Sequence, residues 1–212
     1  LTVDCIRRCA MRELKAFEEP KPMTVQFAQE VISTVISLFI KIDFIEKYIT
    51  KPQFREIRES FLSDPSLHYN ECAARVIGKH IEIVHSNPNK FQQAAKYVKL
   101  VAKTVQYSYN KLEFLTRHNT LMLMRLCRFG SEHSFVENQF IALIEPFLPA
   151  FFSKQFDDLK DEFENSRKIN ADFIKNGSFL NVLVLNAGKA DGLKTPMRCN
   201  IPEPLKGQQT AF

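Results

Sequence analysis

Only two glycines, Gly78 and Gly130, occur in the first 176 residues of this 212-residue chain. Glycine enters left-handed and other unusual backbone regions without a steric penalty, and both two-residue hairpins and phosphate-cradling loops depend on it. A chain so poor in glycine over that length is not built from tight hairpins, and it holds no glycine-rich dinucleotide or P-loop. Helices are what remain. The prolines support this, because they fall at intervals that suit helix boundaries: Pro20 and Pro22, Pro52, Pro65, Pro88, then none until Pro146 and Pro149.

The blocks between these breakers carry helical periodicity. Val3 to Glu18 repeats apolar residues at Ile6, Ala10, Leu14 and Phe17. Thr24 is placed to cap a second helix running to about Ile49, whose Val31, Ile32, Val35, Ile36, Leu38, Phe39 and Ile42 cover so much of its circumference that other helices must surround it. Pro52 suits the first turn of a short helix with Phe54, Ile57, Phe61 and Leu62, and Ser63-Asp64-Pro65-Ser66 stops and restarts the chain before a helix from about Leu67 to His85. After Asn87-Pro88-Asn89, the residues Phe91, Ala94, Val98, Val101, Val105, Leu112 and Leu115 keep to one stripe, which predicts a single long helix. Asn119 or Thr120 then caps a short one ending at Gly130, Ser134 starts another to Ile144, and Phe151 to Lys175 is a last long helix.

Asn176-Gly177-Ser178 fits a glycosylation acceptor in form and reads as a helix-ending turn. The run Phe179 to Leu185 is apolar and rich in strand formers, and the remainder is Gly, Pro and Lys without period. The expectation is one α-helical domain over 1–187 and a flexible or extended tail over 188–212.

With 45% hydrophobic and 25% charged residues the chain can bury a core. The first residue is Leu1, which reads as excision from a longer polypeptide, and the acidic residues Asp4, Glu13, Glu18 and Glu19 interrupt any export signal. The most apolar stretch, Val31 to Ile40, is uncharged for ten residues, short of a membrane span. Five cysteines (Cys5, Cys9, Cys72, Cys127, Cys199) are an odd, scattered set that suits reduced thiols and an intracellular setting, cytoplasmic or nuclear.

Charge is unevenly distributed. Residues 1–88 carry twelve basic and twelve acidic side chains, residues 89–130 carry eight basic ones against Glu113 alone, and residues 131–166 carry two basic against eight acidic. Such blocks polarise a surface. The candidate binding face therefore takes Lys96, Lys99, Lys103, Gln106 and Asn110, opposite the apolar stripe, with Arg117, Arg125 and Arg128 beyond them. Tyr97, Tyr107 and Tyr109 lie nearby, so the face suits a protein partner and offers nucleic acid a row of cations with stacking rings. The acidic segment after it is a candidate to neutralise it.

Catalytic chemistry has no sequence support. The histidines His68, His80, His85, His118 and His133 make no HExxH or cysteine-paired ligand spacing, and no GxSxG elbow is present. The expectation is no catalytic residue, no metal and no cofactor. Nineteen phenylalanines and no tryptophan imply a bulky core, with Phe151 and Phe152 placed to line a groove for a partner helix.

Lys99-Leu-Val-Ala-Lys-Thr-Val-Gln106, preceded by Asn87-Pro88-Asn-Lys-Phe91, resembles the closing half of Ras-type GTPase-activating domains, and Phe129-Gly-Ser-Glu-His-Ser-Phe-Val136 resembles the next segment of that family. The family's Phe-Leu-Arg motif would fall near Arg75 to Ile81, where this chain reads Arg-Val-Ile-Gly-Lys-His-Ile, and the half bearing the arginine finger is not recognisable. The resemblance implies a domain that binds a small GTPase without accelerating hydrolysis.

Together these readings predict an all-α fold of about eight helices, either an irregular bundle or a short armadillo- or HEAT-like stack of helical hairpins. They predict a non-enzymatic interaction or scaffold domain of a larger protein, with helical RNA binding of the nucleocapsid type and GTPase binding as the alternatives.

Overall fold

The computed structural model describes residues 3–17, 22–44, 46–176 and 182–184. Among these residues the chain forms eight α-helices and no strand: α1 Val3–Leu14, α2 Val25–Asp43, α3 Lys51–Leu62, α4 Tyr69–Ser86, α5 Phe91–Val105, α6 Lys111–Phe129, α7 Ser134–Ile144 and α8 Ser153–Lys175. Most connections are single 3-10 turns. The fold is the all-α bundle that the glycine and proline placement demanded. The tail over 188–212 and Cys199 lie outside the described residues.

The centre of the bundle is α4, which packs against α2, α5, α6 and α7. Its Ala73, Ala74, Val76, Ile77 and Ile81 are fully buried, and its small residues let neighbouring helices come close. A Cβ at Gly78 would stand 2.8 Å from Nη1 of Arg125 on α6, so glycine leaves the guanidinium its place against α4. Helix α2 is capped by Thr24, whose hydroxyl accepts from the Phe27 amide at 3.1 Å, and it buries nine residues against α1, α4 and α5. The ten-residue apolar run seen in the sequence belongs to a 19-residue helix that is long and apolar enough to cross a membrane by length and composition. Here half of that apolar window is buried inside the bundle.

The single helix expected over 91–115 is not formed. Helix α5 stops at Val105, Gln106 to Asn110 make a turn, and α6 starts at Lys111. Asn110, not Asn119 or Thr120, is the cap: its side-chain oxygen accepts from the Glu113 amide at 3.2 Å, while the Thr120 hydroxyl back-bonds to the Thr116 carbonyl in mid-helix. The turn is pinned from outside, with the Ser108 hydroxyl donating to Asn70 at 2.6 Å, Lys111 Nζ to the Ser108 carbonyl at 2.7 Å and the Tyr107 hydroxyl engaged by Arg58. The Lys111 and Asn110 side chains thus offer the backbone partners that compete with a continued helix, while Asn70 and Arg58 hold the Ser108 and Tyr107 side chains in place. Asn110→Ala is expected to lower stability by about 1 kcal/mol in urea denaturation, with Thr120→Ala close to neutral.

A large apolar core joins α1 to α5 and α7, and a smaller one joins α6 and α7 to α8 through Met122, Leu126, Ile141, Phe156, Leu159 and Phe163. Each fully buried phenylalanine here contributes roughly 1.5–3 kcal/mol. Residues 182–184 run extended along α8. Asn170 accepts from the Val182 amide at 2.6 Å and donates to its carbonyl at 2.9 Å, and the Ser166 hydroxyl bonds both the amide of Val184, at 2.9 Å, and its carbonyl, at 3.3 Å. Residues four apart on a helix are about 6 Å apart along its axis, close to the two-residue repeat of an extended chain. That match explains why one Asn and one Ser satisfy alternate residues of the segment.

Candidate functional site

Helix α5 turns Lys96, Lys99 and Lys103 outward, three and four residues apart on one face, because Ala94, Val98, Val101, Ala102 and Val105 occupy the buried side. No ion pair joins these three lysines to an acidic residue among the described residues. The acidic block meant to neutralise them pairs elsewhere: Lys160 meets Asp157 at 3.1 Å and Glu145 at 3.8 Å, and Arg167 meets Glu164 at 2.7 Å. Beside the lysines, α2 and α5 flank a cleft of about 330 Å³ lined by Ile40, Leu100, Lys103, Gln106, Tyr107 and Arg58. Ile40 is 50% exposed and Leu100 37%.

Arg58 forms the cleft's polar floor. Its guanidinium lies 3.9 Å from the Phe54 ring, 4.7 Å from Tyr107 and 5.0 Å from Phe39, and it pairs with Asp43. The cation is held by aromatic faces and one carboxylate, which fixes the end of α2 against α3 and the α5–α6 turn.

The remaining residues of the sequence-predicted face do not join this surface as expected. Gln106 is half-buried at the cleft and Asn110 is spent on the α6 cap. Arg117 and Arg128 are exposed on α6, on the far side of the turn, and Arg117 approaches Glu71 at 4.0 Å. Arg125 is not a surface cation at all. It is 3% exposed, donating from Nε to Glu137 Oε1 at 2.7 Å and from Nη2 to Oε2 at 2.9 Å. His85 Nε2 meets the same Oε1 at 3.0 Å, so α4, α6 and α7 are tied by one fully buried carboxylate. Burial works against the charged Glu137, but the Arg125 charge and hydrogen bonds, with those of His85, outweigh it and hold the pKa near 2.

The helical wheel carried a signal for this: Arg125 falls on the stripe of Phe114, His118 and Met122, the apolar face of α6. Its partner, Glu137, carried none. His118 is likewise buried, and both its ring nitrogens lack a hydrogen-bond partner among the described residues. Phe152 is buried against its neighbour Phe151, which is 69% exposed, so the pair does not form the groove expected of both. Cys72 is buried, with its thiol pushed up to about 12 chiefly by burial, and Cys5, Cys9 and Cys127 are exposed and unpaired. No group of three or more His, Cys, Asp or Glu side chains able to hold a metal occurs among the described residues.

The arrangement supplies charge and apolar contact. Comparison with protein-family models, curated proteins and solved structures finds no match to this chain.

Proposed function

We propose that this domain is a non-enzymatic interaction module that binds an acidic protein segment across the α2–α5 face. The observation that carries the reading is the row of Lys96, Lys99 and Lys103, exposed and without ion-pair partners among the described residues, running beside exposed Leu100 and Ile40 at the rim of an open cleft. Cations along an apolar strip complement a helix or extended segment with carboxylates flanking aliphatic side chains. Nucleic acid fits less well, because two of the three tyrosines that would stack bases are engaged: Tyr97 with His80, ring centroids 4.5 Å apart, and Tyr107 with Phe39 at 5.6 Å.

The test is fluorescence polarisation with a labelled Glu/Leu-rich amphipathic peptide and, separately, labelled single-stranded RNA. The peptide is expected to bind, and K96E/K99E/K103E to weaken it by about ten-fold or more, since each reversal removes one attraction and adds a repulsion. Unchanged peptide affinity in the triple variant would remove the face from the function. RNA binding that falls steeply with salt, without peptide binding, would give the face to nucleic acid instead.

A second reading, binding of a small GTPase, rests on the sequence resemblance of Lys99 to Gln106, on α5, and of Phe129 to Val136, which runs into α7. It predicts nucleotide-dependent retention of a Ras-type GTPase without faster GTP hydrolysis. Equal retention of the GDP and GTP forms would remove it.

A further inference from the structure

Helices α4 and α6 enclose a groove of about 280 Å³, separate from the α2–α5 cleft, with Gly78 and Arg125 in its wall. Arg125 is 97% buried by its 3% exposure, and two of its guanidinium nitrogens are occupied by Glu137. The third, Nη1, donates to no group among the described residues and lies against Gly78, where any side chain would collide with it. A mid-helix glycine costs about 1 kcal/mol relative to alanine, so the opening at this point is kept against local propensity.

The charges around the groove favour an anion. Arg75, Lys79 and Arg128 line it with Arg125, and Lys90 extends the positive rim where Arg128 and Phe129 continue into the adjoining recess. Three carboxylates offset part of this: Glu71 pairs with Arg75 at 2.8 Å, Glu82 with Lys79 at 3.6 Å, and Glu137 with Arg125. Arg128 in the groove and Lys90 in the adjoining recess have no ion-pair partner among the described residues, so the groove's four cations exceed the three paired carboxylates by one and the recess adds a second positive charge. The other wall is apolar, made by Val25, Leu121 and Met124, with Met124 46% exposed.

We propose that this groove is a binding site for a small soluble organic phosphate, its oxyanion on Arg125 Nη1 and Arg128 and its apolar body on Val25, Leu121 and Met124. An arginine with one free N–H edge, held rigid by a buried carboxylate, is pre-organised for a charge-assisted hydrogen bond to a phosphate oxygen. Lys79 and Arg128 add attraction from the rim, and the apolar wall distinguishes an aryl or alkyl phosphate from the bare ion.

The test is an amide-resolved NMR titration of the whole chain with phenyl phosphate and with inorganic phosphate, at constant ionic strength against chloride. Saturable shifts at Gly78 and the flanking α4 and α6 amides are expected, with phenyl phosphate about ten-fold tighter than inorganic phosphate because of its buried ring. The variant K79Q/R128Q, altered only at exposed positions, is expected to keep the spectrum of the folded protein and to weaken phenyl phosphate about ten-fold. The proposal is overturned by equal affinity for the two phosphates, by shifts that chloride reproduces, or by unchanged binding in K79Q/R128Q. It is also overturned if phenyl phosphate gives no shift while the protein co-sediments with phosphatidylglycerol vesicles, which would make the basic rim a contact for a lipid surface.

Discussion

Glu137→Ala is expected to lower the folding stability by about 3–5 kcal/mol, a large fraction of what a domain of this size possesses. The reason is what the substitution leaves behind. With the carboxylate gone, Arg125 stays at 3% exposure with a positive charge and no counter-ion among the described residues, and His85 loses the Nε2 contact to Glu137. Arg125 faces solvent only at Nη1 in the α4–α6 groove, and His85 cannot reach water without opening the contact of α4, α6 and α7. Replacing both members of the ion pair removes the stranded charge, so Arg125→Met/Glu137→Gln, in which the amide oxygen still accepts from His85, is expected to cost less than Glu137→Ala alone. A double-mutant cycle by urea denaturation measures the coupling, and additivity of the two single variants would contradict it. The pH dependence has a defined sign. The Glu137 pKa is depressed to about 2 from 4.5, so its contribution is fully present above about pH 4.5 and is lost as pH falls toward 2.

His118 acts in a different window. Burial, reinforced by the nearby charge of Arg125, lowers its pKa from 6.5 to about 4, so the native protein excludes a proton that the unfolded chain takes up between those values. Stability therefore rises with pH across this interval, and between pH 7 and pH 4 His118 alone removes about 3 kcal/mol. The ring packs between Phe114 and Phe156 with no hydrogen bond to either nitrogen, so its neutral form already leaves polar atoms unsatisfied. His118→Phe is expected to flatten the stability profile between pH 6.5 and 4 and to leave stability at pH 7 equal or higher. Denaturation midpoints over a pH series decide it, and a slope unchanged by the substitution would place the acid sensitivity in another group. His80, half-buried and also shifted down by burial, contributes a weaker effect of the same sign.

Both effects come from groups that the sequence presents as ordinary. Arg125 reads there as one more cation in a basic block, and His118 as a plain histidine between Arg117 and Asn119. Their consequences arise from placement on the inner stripe of α6. The lysines of α5 were legible as a face because their spacing is local, and burial of Val98, Val101 and Val105 on the opposite side fixes it. The expected extension of that face through Asn110, Arg117 and Arg125 failed because the helix breaks at Gln106, and every residue beyond the turn takes a new rotational phase.

The all-α class, the number of helices and most of their ends follow from the order of residues alone, since glycine poverty, proline positions, caps and the 3.6-residue period all act within a few residues along the chain. Which charges stay on the surface depends instead on how the helices pack. The turn at 106–110 is held by Asn70 and Arg58 from other helices, and Glu137 is joined to His85 across 52 residues and to Arg125 across 12. Pairing at such separations depends on how helices pack in three dimensions, and the periodicity of any one helix carries no record of it.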